Sequence, residues 1–152
     1  AELCAHLGIT ADERHGRYGA IGLFNHEWNN PAALAHIGTI ASDQIAALSD
    51  GMITEPVAVH VNKRVLDYDL VCVVGPVFPH EVVGFSGGNK YFFPGVAGPE
   101  ILNFFHWLGA LISNPVINGT KDTPVRAVVN IAAGFIPVAK RAFCLNVKGK
   151  HC

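Results

Sequence analysis

The densest chemistry in the sequence lies in Pro79-His80-Glu81-Val82-Val83-Gly84-Phe85-Ser86-Gly87-Gly88-Asn89-Lys90. Glycines let backbone N–H groups approach an anion closely, and Ser86 and Lys90 add a hydroxyl donor and a positive charge, the makings of a phosphate cradle. It is not a Walker A loop, because Asn89 separates Gly88 from Lys90 and no Ser or Thr follows the lysine. His80 supplies an imidazole suited to proton transfer near neutral pH. Taken alone, Gly-Gly-x-Lys reads equally as a turn with a solvated lysine, and a lone His80 as a structural histidine.

A second imidazole follows at His106. Ile101, Phe104, Phe105, Leu108 and Ile112 recur at helical spacing and form one apolar stripe. His106 lies off that stripe, on a face with Leu102, Gly109 and Ser113. The helix is apolar or small nearly all round, so both of its sides are expected to be covered. An imidazole there is either a core residue held by one hydrogen bond or a neutral ligand facing a metal or cofactor. His6, His15, His36, His60 and His151 have no partner at ligand spacing and read as surface or structural. Asn25-His26-Glu27 stands at a strand end and is favoured as a turn bonding its own backbone. Asp67 and Asp69 read as solvated boundary residues.

The elements that must position these groups follow from periodicity and punctuation. Leu70–Val74 is a continuous apolar run of the kind buried on both faces of a parallel sheet, and the glycine segment from Gly75 to Gly98 starts at its carboxyl end, where open α/β sheets bind ligands. Before it come a strand over Val57–Val61 and a short helix capped by Asn62 and running to Asp67. Pro99 opens the helix that carries His106, with Glu100 at its positive end and Asn114-Pro115 as its stop. Thr123-Pro124 starts another helix through Ala133, and Ala142–Val147 reads as a last strand. Upstream, Ala1–Gly8 reads as a helix tail closed by Gly8, Tyr18–Phe24 as a strand, Pro31–Ala35 as a helical turn, His36–Ile40 as a strand and Ser42–Leu48 as a helix. The expected fold is Rossmann-like α/β: a parallel sheet with flanking helices.

Composition narrows the function classes. At 152 residues the chain is one ordinary domain in size. Half of its residues are hydrophobic and 15% are charged, which points to surface buried against a further domain or partner. Eleven basic residues against twelve acidic ones, with no basic run, lack the footprint of a nucleic-acid binder. Cys4, Cys72, Cys144 and Cys152 form no Cys-x-x-Cys pair, and Cys72 and Cys144 sit in apolar runs, so buried thiols in a cytoplasmic protein are expected. The longest apolar stretches are too short for a membrane span. The ends, Ala1 and His151-Cys152, read as those of a fragment.

Together these residues resemble the nickel-dependent lactate racemase family. The matching features are Pro79-His80, Gly84 to Gly88, Lys90, Pro94-Gly95 and His106, with Asn25-His26 and Ile37-Gly38-Thr39 upstream, so the similarity covers most of residues 15–115. The resemblance implies a racemase or epimerase of a 2-hydroxy acid. It further implies a nickel pincer nucleotide, nickel pyridinium-3,5-bisthiocarboxylic acid mononucleotide, attached covalently at Lys90, with His106 as a nickel ligand and His80 as one of two acid/base groups. Phe85, Ser86, Gly87 and Gly88 would then belong to the cofactor loop, and cofactor-synthesis proteins would be partners. Residues 1–120 would be part of the family's N-terminal domain and residues 121–152 the start of a second.

The departures are as informative. The family's other acid/base histidine, in a Gly-Thr-His sequence, has no counterpart here, so the 152 residues alone are expected to be inactive. Asn89 stands where an arginine is usual, Trp107 follows the metal histidine where many members differ, and residues 41–55 look like an insertion. Two other readings use the same residues: a divalent-metal isomerase or hydrolase, and a phosphate- or nucleotide-binding module without catalysis.

Overall fold

Strands β1 (Leu34–Ile40) and β2 (Val57–Asn62) pair antiparallel, with Leu34 opposite Asn62, Ile40 opposite Val57 and a bulge between His36 and Gly38. Val57, Val59 and Val61 are buried and the residues between them half-buried, as a period of two requires. Helices α1 (Glu2–His6) and α2 (Ala11–His15) precede this pair. The computed structural model describes residues 2–112 and 114–146. Ala1, Ser113 on the face of His106, Val147 of the expected last strand, His151 and Cys152 lie outside the described residues.

Three helices share a core with the pair: α3 (Ser42–Leu48), α4 (Pro99–Leu111) and, beyond the short α5 (Asn114–Ile117), α6 (Pro124–Gly134). Ile45, Val59, Phe93, Phe105, Leu108 and Val128 are all fully buried or nearly so. Pro99 and Pro124 stand in the first turns of α4 and α6, where the missing N–H has no partner to lose. Asn114-Pro115 opens α5 instead of simply ending α4, for the same reason. Residues 41–55, expected as an insertion, supply Ile45 and Ile53 to this core. Val125, Val128, Val129, Ala132, Ala133 and Ile136 lie in the same core cluster as α4.

The parallel sheet is a separate pair. Strand β3 (Leu70–Val77) lies parallel to β6 (Ala139–Asn146), in register from Leu70 opposite Ala139 to Val77 opposite Asn146. β3 runs three residues beyond the expected Val74, and it is not buried on both faces. Its residues alternate between exposed and half-buried, with Val74 75% exposed and Phe143 of β6 61% exposed. Cys72 and Cys144 are exposed, against the expectation of buried thiols.

Tyr18–Phe24 is not a strand. The Arg14 guanidinium donates to the carbonyls of Tyr18 at 2.6 Å and Ile21 at 2.9 Å, which gives this backbone a side-chain partner in place of a ladder. Among the described residues no helix is long and apolar enough to cross a membrane.

Candidate active site

The site begins where β3 ends. Strands β4 (Pro79–His80) and β5 (Gly84–Phe85) form a small antiparallel hairpin, Pro79 opposite Phe85 and His80 opposite Gly84. A one-turn 3-10 helix, Gly88–Tyr91, then carries Lys90. Two glycines are demanded by the loop's own packing. Gly84 has φ +88°, and a Cβ there would lie 1.9 Å from the Thr120 carbonyl oxygen. Gly87 has φ +82°, and its Cβ would lie 2.5 Å from Val77 Cγ2.

Ser86 serves the loop in a way its sequence context does not show. Its hydroxyl donates to Pro76 O at 3.1 Å and accepts from Phe78 N–H at 2.9 Å, so it staples the loop back to the strand end. Tyr91 adds a parallel tie, its hydroxyl donating to the same carbonyl at 3.1 Å.

Phe78, His80, Glu81, Ser86, Gly87, Lys90 and Tyr91 line one cavity of about 370 Å³. The structure thus brings His80, Lys90, Ser86 and Gly87 together. Phe85 and Gly88 shape the loop without lining the cavity: Phe85 through its carbonyl, Gly88 through φ +56° at the start of the Lys90 turn.

Electrostatics set the protonation states. Burial first, and then the Arg126 cation, hold the Lys90 amine below its ordinary range, with Glu81 partly opposing. Burial also lowers His80, as do Lys90, Arg126 and His106, against Glu81. His80 is therefore neutral at pH 7.

Two groups compete for its Nδ1. Val82 N–H donates to it at 3.1 Å, while a Glu81 carboxylate oxygen lies 3.8 Å away. The Val82 bond has the better distance, so the neutral ring carries its hydrogen on Nε2. A base acting through Nε2 needs the hydrogen on Nδ1, and Glu81 is the acceptor placed to hold it there.

His106 stands on α4, whose Gly109 would bring a Cβ within 3.0 Å of Val82 Cγ1. That close approach docks the hairpin tip on the helix one turn from His106. The imidazole does not line the cavity. His106 Nδ1–H donates to Leu102 O at 2.9 Å, which leaves Nε2 with a free lone pair, the tautomer a metal ligand needs. α4 is covered on one side only: His106 is exposed and Trp107 is 53% exposed. Among the described residues no three His, Cys, Asp or Glu side chains are arranged to hold a metal. A metal at His106 would have to draw its other ligands from elsewhere.

Within Asn25-His26-Glu27, Glu27 opens a local turn, its carbonyl accepting from Asn30 N–H at 3.2 Å, whereas His26 reaches across the fold. His26 Nε2–H donates to Ala97 O at 2.9 Å and its Nδ1 accepts from Asn62 Nδ2 at 3.1 Å, tying the segment to the end of β2. Asn25 and Glu27 open onto a different, polar cleft shared with Asn62 and Arg64.

Sequence reasoning missed Arg126. Its guanidinium donates from α6 to the Phe85 carbonyl. The available signal was a single arginine set among apolar residues of a short helix, Val125-Arg126-Ala127-Val128-Val129.

The fold and cleft define a class: an α/β domain that presents a half-buried amine and an imidazole on a glycine loop at the carboxyl end of a parallel strand. Residues 5–117 match the lactate racemase N-terminal domain model, and the chain belongs to that family. It is 28% identical over 149 residues to a lactate racemase of Thermoanaerobacterium thermosaccharolyticum, covering 93% of this chain and 31% of that one. A crystal structure of a Thermotoga maritima protein superposes with a TM-score of 0.85 at 31% identity, over 99% of this chain and 36% of the other. The lactate racemase apoprotein of T. thermosaccharolyticum shares the fold with a TM-score of 0.60 at 22% identity, over 93% of this chain and 32% of that one. The chain therefore spans about a third of the length of these relatives.

Proposed function

We propose that the chain is the cofactor-bearing part of a cytoplasmic 2-hydroxy-acid racemase or epimerase, with Lys90 as the attachment point of a nickel pincer nucleotide, His106 as its protein ligand to nickel and His80 as one acid/base group. The observation that carries this reading is that the Lys90 amine and the His80 imidazole line one cavity on a chain of the lactate racemase family. The donor set fits the group. A single imidazole with a free Nε2 suits a metal that receives its remaining ligands from an organic cofactor. It does not suit a metal caged by protein alone, which weighs against the divalent-metal hydrolase.

When bound, the group supplies a hydride acceptor and donor for the substrate α-carbon. The chain's own residues do the rest. His80, neutral at pH 7, takes the hydroxyl proton of the 2-hydroxy acid at Nε2 and returns it once its ring hydrogen has moved to Nδ1, where it gives up the Val82 bond and Glu81 is the nearby acceptor. Lys90, held below its ordinary range, has a neutral fraction able to form a covalent bond.

Co-expression with cofactor-synthesis proteins followed by intact-mass and metal analysis tests the reading. A mass adduct lost in Lys90→Ala, together with nickel lost in His106→Ala, is expected. An adduct that persists in Lys90→Ala, or nickel binding indifferent to His106→Ala in a folded protein, defeats it. The 152 residues alone should not racemise a 2-hydroxy acid, since they contain one of the two acid/base groups.

A further inference from the structure

Helix α6 reaches the glycine loop at three points. Thr123, its N-cap, donates from its hydroxyl to Val83 O at 3.4 Å. Arg126 donates to Phe85 O. Asn130 accepts from Asn89 Nδ2 at 3.0 Å. These residues stand at i, i+3 and i+7, one stripe of the helix, and their partners ascend the loop in the same order, 83, 85 and 89.

Arg126 differs from its two neighbours on the stripe. It is half-buried, and among the described residues neither it nor Lys90 has a carboxylate within ion-pair distance. A guanidinium withdrawn from water without a counterion is unfavourable for folding, and a neutral donor would satisfy one carbonyl as well. Stability alone does not account for an arginine here.

We propose that Arg126 is a positioning residue for Lys90: it clamps the loop at the Phe85 carbonyl and sets a fixed cation on the face of α6 that packs against the Lys90 turn, where Asn130 holds Asn89, which keeps that amine available as a nucleophile. The role rests on the reading of Lys90 as a covalent attachment point. Burial of Lys90 acts in the same direction as Arg126, and the Glu81 carboxylate opposes both. In capture of an activated carboxyl derivative, the amine lone pair forms the N–C bond, the leaving group departs with its electron pair, and the nitrogen sheds a proton. Only the unprotonated amine does this, so a neighbouring cation speeds the step.

The test needs no cofactor. Acetic anhydride, which loses acetate, is used at trace level across pH on the full chain, and acetylation at Lys90 and at exposed Lys63 is read by peptide mass spectrometry. Lys90 should show a lower pH midpoint than Lys63. Arg126→Gln and Arg126→Met should move the Lys90 midpoint up and slow its acetylation at pH 8 by about threefold or more, whereas Arg126→Lys restores the midpoint. A wild-type Lys90 midpoint no lower than that of Lys63 overturns the proposal without any variant. So does an unchanged midpoint in a folded neutral variant, or a midpoint in Arg126→Lys as high as in Arg126→Gln, since a purely structural clamp would not follow charge. Loss of the cofactor adduct assignment would leave these reactivities as they are, so the two readings fail separately.

Discussion

The two long strand pairs are built from similar residues and end in opposite situations. In β1–β2, the valines of β2 are buried against α4 and the rest of the core. In β3–β6, Val74 and Phe143 face outward, as do Cys72 and Cys144. Apolar sequence therefore marks a strand without stating which of its faces is covered, because covering depends on helices far away in the chain. The candidate site's loop is fastened to the end of the open β3, while α4 and α6, which pack against that loop, are rooted in the closed core.

The sharpest way to break this contrast is to remove one aromatic ring from each region. Phe93→Ala empties a fully buried position and is expected to destabilise by about 3–5 kcal/mol, read as a fall in denaturation midpoint. Phe143→Ala should stay within about 0.5 kcal/mol. Equal losses would mean that the parallel pair is as covered as the antiparallel one.

Next in size is the seam between them. Gly84→Ala adds a methyl at a positive φ and against the Thr120 carbonyl, and about 2–4 kcal/mol of destabilisation is expected. A neutral result in thermal melts would remove the reason given for this glycine.

Smaller still is the effect of the buried amine. Lys90 has a folded value below 10.5, so between that value and 10.5 the unfolded chain binds more protons and stability rises with pH. Below that window the penalty of the charged amine is present in full. Lys90→Met is accordingly expected to stabilise the chain at pH 7 by up to about 1 kcal/mol, with the gain fading as pH approaches 10.5. Destabilisation at pH 7 would contradict the sign.

The last contrast leaves stability untouched. Cys72 and Cys144 should react with a thiol reagent at rates close to those of free cysteine in the folded protein, followed residue by residue by mass spectrometry. Protection of both would show that the open face is covered in solution.

Much of this was legible in the residues. The helix from Pro99, the capped turn at Asn62, the strand ending at the glycine segment and the gathering of His80 with Lys90 follow from punctuation, periodicity and spacing. The false strand at Tyr18–Phe24 had the right residues but met Arg14 before it met a partner strand. Ser86 was chosen for a free hydroxyl, and local sequence could not show that Pro76 O takes its hydrogen. Arg126 escaped because its partner, Phe85, is 41 residues away and offers a backbone carbonyl, which no side-chain pattern announces.

That distance also fixes an order of events during synthesis. The ribosome makes Gly84 through Lys90 well before it makes Thr123, Arg126 and Asn130, and the loop takes its final shape only against the helix that carries those three. A nascent chain still short of residue 130 has the lysine but lacks the mould. On the attachment role proposed for Lys90, its loading should therefore follow release of α6 from the exit tunnel, with translation itself acting as the timer.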